Sequence, residues 1–154
     1  NRRYWQERFQ SLYRLAKRRE SVNTAIMLDI DHFKAVNDNY GHQAGDKVIQ
    51  TLARIIKQQV RETDLAGRYG GEEFAIILAD ANGDGAMQVA ERIRKAAEAT
   101  TVTHEGQSIR FTVSLGLAEF SPAFQNEMQW LDIADQALYE AKESGRNQAI
   151  LRIK

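Results

Sequence analysis

The fold is decided around the stretch Arg68-Tyr69-Gly70-Gly71-Glu72-Glu73-Phe74, which is followed directly by the apolar run Ala75-Ile76-Ile77-Leu78. This pattern predicts a β-hairpin with one strand at residues 64–69, a turn at the glycine pair, and a buried return strand at residues 73–79. Adjacent glycines allow positive φ angles without a Cβ clash, and they let another molecule approach the main chain closely. Glu72 and Glu73 place two carboxylates at the mouth of the apolar strand. Taken alone, the pattern describes an ordinary hairpin with a polar tip.

Length and composition limit what the chain can be. Its 154 residues suffice for one domain with a core of its own. Because the chain starts at Asn1 without a methionine, we expect a fragment of a longer protein. The 21 basic and 21 acidic residues balance, so no overall field attracts nucleic acid or an anionic membrane. The absence of cysteine excludes disulfides and thiolate zinc sites and fits a reducing compartment. No apolar run approaches the ~20 residues of a membrane span, and no signal peptide is visible.

A second carboxylate cluster follows another apolar run. Residues 24–28 read Thr-Ala-Ile-Met-Leu, which predicts a central strand covered on both faces, and the run ends in Asp29-Ile30-Asp31. Carboxylates at the end of a buried strand are costly unless they are paired or bound to metal. For Asp29 we favour ligation of a hard cation such as Mg²⁺, which takes oxygen ligands. For Asp31 we expect the commoner role of capping the helix that follows.

The rest of the chain alternates helices with strands. Amphipathic spacing predicts helices at residues 4–20, 33–40, 44–60, 86–99 and 130–143. We expect further strands at residues 101–103, 107–109, 110–120 and 149–153, and a loop at residues 82–85. This order predicts a single α/β domain over residues 1–154, in which helices pack across a mixed sheet.

Two polar pairs carry no decisive signal by themselves. Asn37 and Asp46 lie near the facing ends of the second and third predicted helices, where each would serve as a turn or cap residue. Arg61 and Asp64 form an Arg-x-x-Asp before the hairpin. A solvated ion pair at such a bend contributes only ~0–1 kcal/mol to stability.

In combination, these motifs resemble the GGDEF family of diguanylate cyclases. The resemblance rests on residues 29–38, on Gly41-His42 and Gly45-Asp46, and on residues 68–74, where Glu72 replaces the aspartate of the signature. Residues 1–3 resemble the end of the family's opening stretch, so the resemblance covers the whole chain and lacks only the first few residues of the domain. It implies an α+β sandwich whose central sheet is mixed and mainly antiparallel, similar to nucleotidyl cyclases and polymerase palm domains.

The resemblance implies that two GTP molecules condense into cyclic di-GMP and two pyrophosphates. One such domain is half of an active site, so a second copy must meet it face to face in a homodimer. The metal, Mg²⁺ with Mn²⁺ as an alternative, is expected on Asp29, the carbonyl of Ile30 and Glu72. Glu73 either helps to remove a proton or shapes the loop. The catalytic residues implied are Glu72, Glu73, Asp29 and Lys34.

Further residues would hold the nucleotide. Backbone N–H groups at His32 and Phe33 would meet the β- and γ-phosphates at a helix start, with Lys34 adding charge. Gly70 and Gly71 would leave space for the ribose and α-phosphate.

The family's base-binding and phosphate-binding positions also match. Asn37 and Asp46 would select guanine, because a carboxylate accepts from N1–H and the 2-amino group, which adenine lacks. Lys142 and Arg146 match the family's phosphate-binding pair. Without the resemblance, these two cations would be read as favourable charge at a helix C-terminus.

The same resemblance changes the reading of the Arg-x-x-Asp pair. Arg61 and Asp64 stand where the family binds cyclic di-GMP for product inhibition, with five residues between Asp64 and Gly70. Arg92, on the following helix, is expected to assist them.

Two alternatives remain open at this point. The domain could be a catalytically silent module that binds cyclic di-GMP or GTP, or a structural output domain that dimerises through its leading helix. Degenerate relatives generally lose the hairpin carboxylates or glycines, and none is lost here. We expect a cytoplasmic location, either free or as the cytoplasmic part of a membrane-anchored sensor with an upstream sensory or regulatory module.

Overall fold

Helices and strands alternate along the chain in the computed structural model, which describes residues 2–153. The helices are α1 (Arg2–Arg19), α2 (Phe33–Tyr40), α3 (His42–Gln59), α4 (Gly83–Ala99) and α5 (Glu127–Glu143). The strands are β1 (Thr24–Ile30), β2 (Leu65–Arg68), β3 (Glu73–Leu78), β4 (Thr101–His104), β5 (Gln107–Arg110), β6 (Val113–Glu119) and β7 (Ala149–Arg152). Within residues 2–153, no helix has the length and apolar character needed to cross a lipid bilayer.

Most strands join one sheet with β1 at its centre. The order is β2-β3-β1-β6-β7, and β4 and β5 form a separate hairpin. β1 pairs antiparallel with β3 and β6, β2 pairs antiparallel with β3, and β6 and β7 run parallel. Every residue of β1 is buried, as its continuous apolar run predicts. The predicted fold class, a mixed and mainly antiparallel sheet with surrounding helices, is confirmed.

Alternation along β1 divides the apolar core between the two faces of the sheet. Ile26, Leu28 and Ile30 belong to a layer that also includes the apolar faces of α3 and α4. Ala25 and Met27 belong to a second layer, which α1 and α5 complete. A one-residue slip of β1 would exchange these two sets, so burial on both faces holds the strand in one register. The residues at the end of β1 therefore have a fixed starting position.

α5 lies in backbone contact with β6. A Cβ atom at Gly116 would lie 2.1 Å from the backbone nitrogen of Leu138 and 2.2 Å from the carbonyl oxygen of Ala134. Any side chain at this position would collide with the helix backbone, which a rotamer change cannot relieve. Glycine here sets the height of α5 above the sheet, and with it the position of the last turn of α5.

α1 packs directly on the hairpin formed by β2 and β3. Trp5 lies over Gly67, where a Cβ atom would come within 2.6 Å of the indole Cδ1. The indole also meets the ring of Tyr69 edge-on, at a centroid distance of 5.6 Å. The guanidinium of Arg2 lies 4.1 Å from the centroid of the Tyr69 ring. The helix is therefore anchored on the strand that leads into the glycine pair.

Two turns differ from their sequence predictions. Residues 83–85 lie in the first turn of α4 instead of a loop, because Asn82 caps the helix by accepting from the backbone N–H of Gly85 at 2.8 Å. Gly70 and Gly71 do not have the positive φ angles that the hairpin prediction invoked. Residues other than glycine could adopt these backbone angles. The pair therefore contributes the absence of side chains at the hairpin tip.

Candidate active site

The end of β1 meets the tip of the β2–β3 hairpin. Asp29 stands opposite Glu73 of β3 and Ser114 of β6 in the sheet register. The backbone N–H of Ile30 donates to the carbonyl oxygen of Glu72 at 3.4 Å. The two carboxylate-bearing segments singled out in the sequence are therefore adjacent in the fold.

Asp29 is the buried carboxylate of this cluster, with 4% of its surface exposed. Its Oδ2 accepts from Nζ of Lys142, whereas its Oδ1 is buried without a hydrogen-bond partner within residues 2–153. Burial raises the pKa of Asp29 to about 6, because removal from water penalises the charged form more than Lys142 favours it. The carboxylates of Glu72 and Glu73 act in the same direction as burial. A buried oxygen without a partner costs free energy unless a ligand satisfies it.

The donor set around Asp29 fits a hard divalent cation. The free Oδ1, the Glu72 carboxylate and the main-chain oxygen of Ile30 are all oxygen donors. Mg²⁺ is commonly held by one or two carboxylates, while water and substrate phosphate complete its octahedron. Among the residues that the structure describes, no cluster of three or more histidine and acidic side chains is arranged to hold a metal. These donors therefore suit Mg²⁺ or Mn²⁺ that arrives with a phosphate-bearing ligand.

Two cations at the end of α5 lie near this cluster. Lys142, in the last turn of α5, forms the ion pair with Asp29. Arg146 follows the helix with an exposed side chain, and its guanidinium has no hydrogen bond or ion pair inside the described chain. The next residue, Asn147, donates its backbone N–H to Asp31 at 3.0 Å, which ties Arg146 to the end of β1. The contact of Lys142 with Asp29 was not predicted from the sequence.

α2 begins just beyond the end of β1. His32 is its N-cap residue, with a left-handed φ of 55°, and its side chain makes no capping hydrogen bond. Because the first N–H groups of an α-helix have no partner within the helix, this start offers donors to an anion. Phe33 is half-buried. Lys34 is exposed and pairs with Asp38 at 2.9 Å.

The glycine pair leaves open space at the hairpin tip. A Cβ atom at Gly71 would have no neighbour within 4 Å. One at Gly70 would lie 2.8 Å from Oε1 of Glu73, the mobile end of a flexible side chain. Packing inside the domain therefore gives no reason for glycine at position 71, whereas close approach of a ligand to the backbone would supply one.

α2 and α3 approach each other closely where the side chain of Asn37 packs against Gly45. A Cβ atom at Gly45 would lie 1.9 Å from Oδ1 of Asn37 and 3.1 Å from the ring of Phe33. Glycine at position 45 therefore makes room for the Asn37 side chain. Asp46 is the next residue of α3 and is exposed, whereas Asn37 is half-buried.

The prediction that Asp31 caps α2 is wrong. Asp31 is 5% exposed and lies in the interior. Its carboxylate accepts from Oγ1 of Thr112 at 2.7 Å, from Oγ of Ser114 at 2.7 Å and from the backbone N–H of Asn147 at 3.0 Å. The N-cap position belongs to His32. Asp31 therefore joins the end of β1 to β6 and to the turn after α5.

The description of Arg61 and Asp64 as a solvated pair is also wrong. The Asp64 side chain is 2% exposed, whereas that of Arg61 is 62% exposed. Asp64 accepts from the backbone N–H of Arg61 at 2.7 Å and of Ala79 at 2.9 Å. Arg61 also donates to the carbonyl of Ala79. Asp64 is thus a buried acceptor that joins the start of the hairpin to its end. It also orients Arg61 through the backbone hydrogen bond and the ion pair.

Arg92 lies in the same region as this pair. Its Nε donates to Oε1 of Gln59 at 2.9 Å. Arg61, Asp64 and Arg92 line one groove of about 400 Å³ between the hairpin and α4. The three residues of the predicted inhibitory site are therefore brought together, at the opposite end of β2 from the glycine pair.

Comparison with known proteins points to one family. The family model described as "Diguanylate cyclase, GGDEF domain" matches residues 1–148. Diguanylate cyclase A of Treponema denticola is 44% identical over 126 residues, which are 82% of this chain and 34% of that protein. The GGDEF domain of DgcB from Caulobacter crescentus, described in complex with c-di-GMP, has a TM-score of 0.94 at 32% identity, over 98% of this chain and 90% of that one. The active GGEEF domain of a diguanylate cyclase from Vibrio cholerae has a TM-score of 0.91 at 31% identity, over 98% and 96%. The chain thus spans about a third of the length of its Treponema relative.

Proposed function

Because the chain belongs to the GGDEF family of diguanylate cyclases, we propose that it condenses two GTP molecules into cyclic di-GMP and two pyrophosphates. The observation that carries the proposal is Oδ1 of Asp29, which is buried beside Glu72 and Lys142 and has no hydrogen-bond partner among residues 2–153. A purely structural domain gains nothing from such an atom, because an unsatisfied buried oxygen lowers stability. In an enzyme, the same atom is a ligand held ready for a metal–triphosphate complex.

The proposed metal site consists of Asp29, the carbonyl of Ile30 and Glu72. The ion, Mg²⁺ or Mn²⁺, supplies charge neutralisation at the triphosphate and a lower pKa for the attacking 3′-hydroxyl. Glu73 stands opposite Asp29 in the register, so it either accepts the hydroxyl proton or holds the hairpin in shape. Lys142 neutralises Asp29 in the ligand-free protein and would turn to phosphate in the complex.

The triphosphate would lie between the start of α2 and the end of α5. Backbone N–H groups at His32 and Phe33 meet the β- and γ-phosphates, and the exposed Lys34 adds charge. Lys142 and Arg146 contribute charge-assisted hydrogen bonds from the opposite side. The open space at Gly70 and Gly71 admits the ribose and α-phosphate.

Base selection is assigned to Asn37 and Asp46. The Asp46 carboxylate would accept from both N1–H and the 2-amino group of guanine, and Asn37 would bond the same ring. Adenine offers an acceptor at N1 and no 2-amino group, so it would leave Asp46 unsatisfied. A polar pocket of this kind can discriminate between substrates by up to ~10⁴-fold.

The proposed reaction needs two domains, and its product, cyclic di-GMP, is proposed to inhibit it. Each domain holds one base pocket and one phosphate-binding surface, so two copies must face each other for each 3′-hydroxyl to reach the other nucleotide's α-phosphate.

Cyclic di-GMP would bind in the groove of Arg61, Asp64 and Arg92 and keep the domains from adopting this arrangement. The c-di-GMP complex described for DgcB supports product binding by such domains. In the cell, we propose that the domain acts in the cytoplasm beside a sensory or regulatory module.

Turnover of GTP tests the proposal. The purified protein is incubated with GTP and Mg²⁺, and the nucleotides are separated by chromatography. Cyclic di-GMP and pyrophosphate should form in a ratio of one to two. Glu72→Gln should lower the rate by at least ~10²-fold, the scale for loss of one electrostatic stabiliser. Glu105→Gln, at the tip of the β4–β5 hairpin, is the matched control and should retain the wild-type rate.

The same experiment separates the alternatives. Product formation that is unaffected by Glu72→Gln would refute the metal assignment. A protein that binds cyclic di-GMP and never makes it from GTP would be the silent binding module, and the enzyme proposal would fail.

A further inference from the structure

The turn that follows α5 has a strained backbone. Gly145, Arg146 and Asn147 have consecutive positive φ angles of 114°, 63° and 47°. Gly145 ends α5 in a common way, with the N–H of Arg146 donating to the carbonyl of Ala141 at 3.0 Å. For Arg146 the left-handed conformation is unfavourable, because the Cβ atom crowds the backbone, whereas asparagine tolerates it well. Arg146 therefore needs a separate cause for its conformation.

Asp31 provides that cause on one side of the turn. Its Oδ2 accepts from the backbone N–H of Asn147 and from Oγ1 of Thr112, and its Oδ1 accepts from Oγ of Ser114. These partners are neutral donors. Together they give a hydrogen bond to each oxygen of a carboxylate that is almost completely buried. Hydrogen bonds to a charged acceptor are stronger than neutral ones. Asp31 is therefore itself fixed by the start of β6 and holds the turn from there.

The side chain of Asn147 ties the turn to α4. Its Oδ1 accepts from Nη1 of Arg94 at 3.1 Å, and its Nδ2 donates to Oε2 of Glu98 at 2.8 Å. Arg94 is held in turn by hydrogen bonds to Glu91 at 3.0 and 2.9 Å. The turn is thus restrained from two sides, by the end of β1 and by α4.

The residue that this network orients is Arg146, whose guanidinium has no hydrogen bond or ion pair among residues 2–153. We propose that Asp31 is a positioning residue that, through the backbone N–H of Asn147, aims Arg146 at the triphosphate. The inference rests on the proposed role of Arg146 in phosphate binding. Asp29 and Asp31 then have separate tasks, because Asp29 meets the metal and Asp31 holds the backbone that carries a phosphate-binding cation.

Equilibrium binding tests this role without turnover. Inorganic tripolyphosphate has the charge of the GTP triphosphate and no base, and it is titrated into the protein with Mg²⁺. Asp31→Ala should weaken its binding by ~10-fold, the scale of one hydrogen bond to a charged group. Asp31→Asn should restore most of the affinity, because its amide oxygen can still accept from Thr112 and Asn147. Glu119→Ala is the control, because Glu119 likewise accepts a backbone N–H, that of Gly83 at 2.7 Å, at the start of α4.

A double-mutant cycle shows whether Asp31 acts through Arg146. Arg146→Ala alone should weaken tripolyphosphate binding, and adding Asp31→Ala should then change it little, because both changes remove the same contact. Equal binding by wild type and Asp31→Ala would overturn the inference, as would full additivity of the two substitutions.

Asn147→Ala keeps the inference testable if Asp31→Ala does not fold. Alanine is strained at this φ angle and cannot bond Arg94 or Glu98, so it should weaken tripolyphosphate binding to a similar extent. Wild-type affinity in Asn147→Ala would refute the role of the turn. GTP turnover is measured separately, so a protein with Asp31-dependent tripolyphosphate binding and no cyclic di-GMP formation would refute the proposed function alone.

Discussion

Asp29 combines two requirements that conflict in the ligand-free protein. Packing at the centre of the sheet removes it from water, yet within the described part of the chain its Oδ1 has no hydrogen-bond partner and its Oδ2 is bonded by Lys142. Burial of this kind favours the protonated carboxyl, whereas a metal ligand must be ionised. In the proposed complex, a cation beside Oδ1 would remove this conflict. The stability of the domain is therefore expected to depend on pH and on the cation.

The pH dependence of stability should reveal this residue. Asp29 has a pKa of about 6 in the folded protein and an ordinary value of 3.8, so between these values the folded state binds a proton that the unfolded state has released. The free energy of unfolding should fall as pH rises from about 4 to about 6, by ~3 kcal/mol for a shift of about two units. Asp29→Asn should lack this fall, as measured by urea unfolding in the presence of a chelator.

Adding Mg²⁺ provides the control for this measurement. At pH 7 the cation should stabilise the wild type and leave Asp29→Asn unchanged. A constant stability difference between the two proteins from pH 4 to 7 would contradict the raised pKa.

Selection of guanine over adenine is expected to depend on a single residue, Asp46. If Asp46 accepts two guanine hydrogen bonds, a non-hydrolysable GTP analogue should bind far more tightly than the ATP analogue, up to ~10⁴-fold. Asp46→Ala should remove most of this preference by weakening guanine binding. Gln43→Ala, also exposed in α3, is the matched control. Calorimetric titration in Mg²⁺ measures both affinities, and equal wild-type affinity for the two bases would exclude Asp46 from the pocket.

At the site, the residues selected from the sequence remain a prediction, and contacts between distant positions were missed. The partners of Asp31 lie 81, 83 and 116 positions away, so local reasoning assigned it to the nearest helix. Asp64 was expected at the surface because its buried contact, with Ala79, is made only when the hairpin closes. Lys142 reaches Asp29 across 113 positions. Such pairings depend on sheet order, which hydrophobic periodicity does not specify.

Among the secondary-structure elements, the hairpin and α5 position the site. A close contact at a glycine fixes the position of each. The backbone of α5 packs against Gly116 of β6, and the indole of Trp5 packs against Gly67 of the hairpin. Periodicity predicted these elements well, because their apolar faces follow the helical and strand repeats. Their starts were less predictable. α4 and α5 both begin earlier than expected, where Asn82 and Asn126 act as caps.

Gly116 offers a test of how α5 positions Lys142. Gly116→Ala would push a methyl group into the backbone at Leu138, so α5 must move away from the sheet. Overpacking of this kind typically costs ~1–3 kcal/mol, and moving α5 should also weaken GTP-analogue binding by displacing Lys142. Gly85→Ala is the control, because its Cβ would approach no atom closer than 3.4 Å. Wild-type thermal stability and affinity in Gly116→Ala would show that α5 is not held in this way.

The groove beside the start of the hairpin should control product inhibition. Added cyclic di-GMP should slow the wild-type enzyme, and Arg61→Ala should remove the slowing, because its guanidinium is the exposed donor in the groove. Asp64→Ala is a poorer probe, since it would leave the half-buried N–H of Ala79 without its acceptor and destabilise the hairpin. Rates with and without product give the result, and Arg61→Ala inhibited as strongly as wild type would disprove the assignment.

For the whole molecule, the proposed reaction depends on association. In the proposed mechanism, each domain contributes one base pocket and one triphosphate-binding surface, so a single domain would not complete the bond between two nucleotides. Specific activity should therefore rise with protein concentration and fall towards zero on dilution. Rate measurements paired with sedimentation at the same concentrations test this. Constant activity per molecule in a sample proven to be monomeric would contradict the half-site model.

The contact of Trp5 with the hairpin gives the domain an intrinsic optical probe. The chain has two tryptophans, and Trp5 is the one whose indole lies over Gly67 and against Tyr69, immediately before the glycine pair. Indole fluorescence responds to the packing and polarity around the ring, so any movement of the glycine pair on nucleotide binding would change the emission of Trp5. Trp130 lies deeper, with its N–H donating to the carbonyl of Ala118 at 2.8 Å, and serves as an internal reference. Occupancy of the proposed site can thus be followed in solution with no attached label.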